Sequence, residues 1–172
     1  MITEDQLHTI MPHARSKVDT YLAPLNDAMD EFEINTPQRQ AAFLAQVAHE
    51  SGEFRYVEEL ASGEAYEGRS DLGNVVEGDG VRFKGRGLIQ ITGRANYASC
   101  GSALGIDLLA EPELLETPVN ACRSAAWFWS THGLNELADA DNFRKITLRI
   151  NGGLNGQEDR LAYWELAKGA IA

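Results

Sequence analysis

Ten of the sixteen glycines lie between Gly52 and Gly101, so the middle of this chain cannot hold the long helices that its two ends announce. Glycine in a helix interior costs about 1 kcal/mol relative to alanine, and a cluster of glycines lets the backbone take shapes that other residues avoid. From Ser62 to Gly93 no apolar period is sustained, and the segment reads as loop. Irregular backbone between helical halves is a common place for a site, because a loop is shaped freely on a rigid scaffold.

Before that region, Thr3 and Gln6 fit a capping box, and Leu7, Ile10, Met11 and Ala14 recur at helical spacing. Val18, Tyr21, Leu22, Leu25, Ala28, Met29 and Phe32 continue the stripe. Pro24 inside it predicts a restart or kink, hence two short helices rather than one long one. Thr36-Pro37 sets a capping hydroxyl before a proline at the first helical position, opening a helix that runs through AAFLAQVAHE to a stop near Gly52. Thr117-Pro118 repeats the signal, with Cys122, Ala125, Ala126 and Trp129 on one face before Gly133. Asp141 is read as the cap of a helix to Ile150 that Asn151-Gly152-Gly153 ends, and a last helix spans about Glu158 to Lys168. In VRFKGRGLIQIT, Ile89 and Ile91 alternate with Gln90 and Thr92, the pattern of a short hairpin. The expected fold class is mostly α (α+β) with a small β-hairpin element. One domain over residues 1–172 is expected, because a chain of this length that is 44% hydrophobic fills one core and is too short for two.

A net charge of −11 opposes a nucleic-acid partner, which needs a basic face. No apolar run approaches the roughly 20 residues that cross a bilayer, and MITEDQLHTI has neither a basic nor an apolar leader region. The expectation is therefore a protein made in the cytoplasm without stable membrane insertion. His8, His13, His49 and His132 share no ligand spacing and HExxH is absent, so no metal is expected. Cys100 and Cys122 are read as free buried thiols, with a disulfide between them as the alternative.

Glu50 falls at the C-terminal end of the third helix, in AHESGEF. There the negative end of the macrodipole, together with apolar packing, favours a protonated carboxyl, the condition for a general acid. Position alone describes an exposed residue in a fraying last turn at least as well. Glu53, Glu58, Glu59, Glu64 and Glu67 follow within seventeen residues. On a continuous helix Glu59 would lie about 180° from Glu50, but Ser51-Gly52 breaks the helix. A reversal there can bring Glu59 across a cleft, at the roughly 6.5–9.5 Å in which an inverting glycosidase holds its water. For most of these five acids a solvated surface is the ordinary account. In FKGRGLIQITGRANY, Gly85 and Gly87 permit close backbone approach, and Gln90, Thr92 and Asn96 offer short polar groups suited to sugar hydroxyls and N-acetyl groups. The GRG run lacks the Lys-Ser/Thr ending of a phosphate loop. INGGLNG serves either as a helix stop alone or as part of a site.

Together, AAFLAQVAHESGEFRYVEE, GDGVRFKGRGLIQITGRANY, PELLETPVNACRSAAWFW and RINGGLNGQEDR resemble, in this order and over nearly the whole chain, glycoside hydrolase family nineteen, the chitinase family that includes compact phage and prophage endolysins. The resemblance implies a lysozyme-like fold and an inverting hydrolysis, without metal or cofactor, of a β-1,4 link beside an N-acetyl sugar. It implies Glu50 in HES as general acid, Glu59 in YVEE as base, and Thr92 as the hydroxyl that helps hold the attacking water. It implies Gln90, Asn96, Asn151 and Arg160 as substrate-binding positions in the cleft, with Arg160 also able to pair with a glutamate. Only 25 residues separate Glu59 from Gly85, and the cysteines and extra loops of plant members are absent. That trimming leaves Glu67 and Glu64 as competitors for the second carboxylate and predicts a short, open cleft. The expected partner is the glycan strand of peptidoglycan. Alternatives are chitin as substrate, or an inactive module that binds glycan without cutting it. A monomer that reaches the wall through a holin-made lesion or by lysis is expected. An acidic chain gains no electrostatic help in approaching anionic wall polymers.

Overall fold

α1 (Glu4–Ile10) starts on the capping box that its sequence carries: the Thr3 hydroxyl accepts from the Gln6 N–H and the Gln6 side chain accepts from the Thr3 N–H, in a computed structural model that describes residues 1–172. α2 (Lys17–Glu31) follows. The two helices separate at residues 11–16, where Arg15 takes a left-handed φ of +53°, and not at Pro24, which sits inside α2 without ending it. The proline removes only the N–H that would have bonded the Thr20 carbonyl, and Thr20 is exposed, so water can serve that group. α3 (Pro37–Ser51) begins on the Thr36 hydroxyl, which accepts from the Arg39 N–H, and closes on Gly52 at φ +57°.

The expected hairpin does not form. Val81 and Arg82 belong to the short α4 (Asp79–Arg82), and β pairing is confined to two antiparallel bridges, Glu58 with Arg86 and Arg86 with Ile91. Arg86 and Ile91 exchange both backbone hydrogen bonds, at 3.1 and 2.8 Å, around a tight turn. A half-buried strand needs one wet face, but Leu88, Ile89 and Ile91 are all buried, so the apparent alternation marks a packed turn. The glycine count also conceals α5 (Arg94–Leu104), whose Tyr97, Cys100 and Leu104 are buried. Gly101 lies inside it because a Cβ there would meet the Ile106 carbonyl at 2.6 Å.

α6 (Pro118–Thr131) begins where Thr117-Pro118 predicts, yet the Thr117 hydroxyl donates to the Leu114 carbonyl and closes the preceding turn instead of capping the helix. After α7 (Leu134–Asp139), the cap of α8 (Phe143–Asn151) is Asn142, whose side chain accepts from the Lys145 N–H, and not Asp141, which turns the chain at φ +53°. α9 (Gln157–Ile171) ends the chain and packs along α3 in the most extensive helix pair of the fold.

Thirty-one buried residues, mainly from α1–α3 and α6–α9 and joined by Leu88 and Ile89, form the main core, and seven, including Phe83, Ile91, Tyr97 and Leu115, form a second beneath the glycine-rich lobe. Phe32 and Phe128 pack against both. Cys100 and Cys122 are free and buried, and burial pushes the Cys100 thiol up to about 12.

Glu53 joins three elements. Only 5% exposed, it accepts from the His13 N–H at 2.6 Å, from His13 Nδ1 at 3.1 Å and from the Tyr163 hydroxyl at 2.7 Å. The carboxylate thereby ties the α1–α2 turn and α9 to the end of α3, which takes it out of competition for chemistry. Removing it strands the half-buried Tyr163 phenol and leaves a hole at the end of α3, so Glu53→Ala is expected to lower unfolding free energy by about 2 kcal/mol. A denaturant midpoint equal to wild type would show that the hub contributes nothing.

Candidate active site

Glu50 occupies the last turn of α3, with its side chain 23% exposed. Its Oε1 lies 2.7 Å from Nη1 of Arg160, which is 1% exposed on the first turn of α9. The same Nη1 donates to Gln46 Oε1 at 2.6 Å, and Nε donates to the Asn155 carbonyl at 3.0 Å. The approach of α9 needs Gly156, at φ +73°, because a Cβ there would collide with the His49 ring. His49 Nδ1 in turn meets Asp159 Oδ2 at 2.7 Å, fastening the start of α9 to the C-terminal end of α3. Arg160 is thus buried behind Glu50 and paired with it.

The reversal after Ser51 is made by three consecutive left-handed residues, Gly52, Glu53 and Phe54, at φ +57°, +58° and +67°. For the two that are not glycine this is a strained conformation. Ser51 Oγ supports it by donating to the Val47 carbonyl and accepting from the Phe54 N–H. The chain then runs antiparallel to the GRG segment: Gly87 N–H donates to the Val57 carbonyl at 2.8 Å and Glu59 N–H to the Gly85 carbonyl at 2.9 Å.

Glu59 is half-buried. Its Oε2 accepts from the Tyr66 hydroxyl at 3.0 Å, while Oε1 is enclosed and has no partner in the protein. Burial, and then the bond to Glu59, raise the Tyr66 phenol above its ordinary value, so it stays a donor. The rival carboxylates are placed differently. Glu67 accepts from the N–H groups of Gly78 and Gly80, both at 2.8 Å, and clamps the lobe. Glu64 is exposed on a single 3₁₀ turn. Glu58 pairs with Lys84, which holds its carboxyl below the usual range.

Gln90, within the Arg86–Ile91 turn, and Thr92, just after it, are half-buried. Gly85 gives Gln90 its room, since a Cβ there would lie 2.6 Å from Gln90 Oε1. Asn96, exposed on the first turn of α5, donates to the Thr92 carbonyl at 2.8 Å. Asn151 ends α8 and accepts from the Asn155 N–H at 3.3 Å, across the turn that leads to Arg160. Two contributors are not apparent from the motifs. Tyr66 lies in a loop with no periodic signal, whereas Gln46 stands four residues before Glu50, on the same helix face, and that spacing is a usable sign.

The two carboxylates thus sit in unlike surroundings, one against a buried guanidinium and one with an unpaired oxygen. Residues 28–147 match the chitinase class I family. The chain is 34% identical to a glycosyl hydrolase family 19 domain-containing protein of Haemophilus influenzae, over 93% of this chain and 92% of that protein. It is 40% identical to an endochitinase of Arabidopsis thaliana over 66% of its own length, and spans 39% of that protein. Its fold superposes on a bacterial family 19 chitinase with a TM-score of 0.83 at 26% identity, covering 99% of this chain and 95% of the other. On chitinase C from Streptomyces griseus the TM-score is 0.82 at 24% identity, with 99% and 76% covered. The chain belongs to glycoside hydrolase family 19, and its mostly helical architecture is the lysozyme-like fold of its structural neighbours.

Proposed function

We propose that this enzyme hydrolyses the β-1,4 bond between N-acetyl amino sugars of bacterial peptidoglycan in a single inverting displacement, with Glu50 as acid and Glu59 as base. The observation that carries this reading is the unequal setting of the two carboxyls: Glu50 has an ionic partner, while Glu59 keeps Oε1 unpaired. Protonation of the leaving oxygen by Glu50 creates a carboxylate, and Arg160 stabilises that charge as it develops. A water attacks the anomeric carbon from the opposite face, the bond to the leaving oxygen breaks, and the water's proton passes to the Glu59 carboxylate, which the Tyr66 hydroxyl orients through Oε2. Thr92 helps hold this water; Gln90, Asn96 and Asn151 contact the sugars, and Arg160 acts on Glu50 from behind. The route draws on no metal or cofactor.

Peptidoglycan differs from chitin in carrying a lactyl-peptide on alternate sugars, and the trimmed lobe supports room for it. Leu60, directly after Glu59, is 86% exposed, and Val75 and Val76 stand out on the same short lobe. On this reading the protein is a monomeric endolysin, stored in the cytoplasm and released to the wall through a membrane lesion. No helix of the chain is long and apolar enough to cross a membrane. A chitinase is the second reading, favoured by the relatives named endochitinases.

Mass spectrometry of soluble products from purified peptidoglycan and from chitin oligomers decides between them. Muropeptides with new reducing ends are the expected result, release from chitin alone would make the enzyme a chitinase, and release from neither would leave a binding module. Ionic strength gives an independent check. With a net charge of −11, cleavage of anionic peptidoglycan is expected to quicken as salt rises from about 0.01 to 0.1 M and screening shortens to roughly 10 Å. Neutral chito-oligosaccharides should show no such gain.

A further inference from the structure

Arg160 has three acceptors but one counter-ion. Its guanidinium is almost wholly buried, and of its acceptors only Glu50 is ionisable; Gln46 Oε1 and the Asn155 carbonyl are neutral. Gln46 is itself fully buried and lies one helical turn before Glu50. Its amide cannot turn freely. The Thr147 hydroxyl spends its only proton on the Phe143 carbonyl at 3.4 Å, so toward Gln46 it can only accept, and it takes a bond from Nε2 at 3.0 Å. That commits Oε1 to Arg160. A chain of fixed polarity thus runs from α8 through Gln46 and Arg160 to the Glu50 carboxyl.

We infer that Gln46 is a positioning residue for the proton donor, with Thr147 as its orienter: the amide holds the guanidinium in line with Glu50 while bringing no charge that would compete for it. The consequence is that Glu50 is the only ionic partner of a buried guanidinium held in fixed orientation. The other charged groups near this end of α3 are engaged elsewhere. On α9, Asp159 pairs with His49 and Tyr163 with Glu53; His13 of the α1–α2 turn also faces Glu53; Arg55 lies over Tyr56. On α7, Asp139 meets Arg39 at the far end of α3, and α8 meets Gln46 through the uncharged Thr147. Across the reversal, Glu59 bonds Tyr66.

The inference rests on Glu50 being the acid, so the test measures kcat and KM against pH for wild type, Gln46→Glu, Thr147→Val, Thr147→Ser and Glu50→Gln, on soluble chito-oligosaccharides and on solubilised peptidoglycan, with thermal unfolding as the control for folding. A general acid must be protonated, so the basic limb of the kcat/KM profile reports it. In Gln46→Glu the added carboxylate draws on Arg160 and places a like charge one turn from Glu50, so that limb is expected to move up by about one pH unit, with KM within about twofold of wild type. A folded Gln46→Glu protein whose basic limb has not moved overturns the inference. Should that variant fail to fold, Thr147→Val decides, because it keeps the side-chain shape. Loss of the orienting hydroxyl is expected to lower kcat about fivefold at unchanged KM, and Thr147→Ser to restore it. Wild-type kcat in Thr147→Val overturns the inference equally. Retained turnover in Glu50→Gln would instead remove the acid assignment itself, a result distinct from either.

Discussion

Glu50→Gln is expected to lower kcat about a thousandfold, within the range that a positioned general acid contributes, while KM for the same glycan changes little. The amide keeps the shape of the carboxyl and its acceptor oxygen toward Arg160, but it has no proton to give. It also leaves a buried guanidinium without a negative partner. That loss should cost about 1 kcal/mol of stability, below the 3–5 kcal/mol of a fully buried broken pair because Glu50 is partly open to solvent. Reducing-end assays with a denaturant titration read both effects. Turnover within tenfold of wild type would mean that another group protonates the leaving sugar.

Glu59→Gln should be the second most damaging change, lowering kcat about a hundredfold or more. An amide in place of the Glu59 carboxylate cannot act as base. Glu67→Gln is the informative companion. Both Glu67 oxygens already accept from backbone N–H groups. An amide satisfies one of them and opposes the other, so the expected result is a loss of about 1 kcal/mol in stability with kcat near wild type. The reverse outcome, with Glu67→Gln inactive and Glu59→Gln active, would transfer the role of base to Glu67.

What could be read in the sequence was local. A cap is a contact between a residue and the N–H three positions on, so Thr3 with Gln6, and Thr36 before Pro37, announce their helices within a few letters. Asp141 and Asn142 carry equally good capping groups, and only the left-handed turn at Asp141 assigns the cap to its neighbour. The hairpin expectation failed because alternation cannot show that both sides of a segment are covered, as Leu88 and Ile89 are. The stretch at Arg94–Leu104 hid a helix because Gly101 serves a close return of the chain, not a break. For the site, the neighbourhood of Glu50 and the break after Ser51 were legible. The partnership of Glu50 with Arg160, across 110 residues, had only the family resemblance behind it. The freedom of Glu59 and the engagement of Glu67 are decided by what the lobe folds against, which no spacing expresses.

The docking of α9 on α3 also has a consequence for the order of biosynthesis. Residues 37–51, which carry Glu50, leave the ribosome long before residues 157–171, which carry Arg160 and the Asp159 that grips His49. A growing chain therefore holds Glu50, and the reversal that follows it, well before it holds the arginine that pairs with it. A product that stopped before Gly156 would keep every carboxylate of the candidate site and lack the guanidinium that pairs with Glu50.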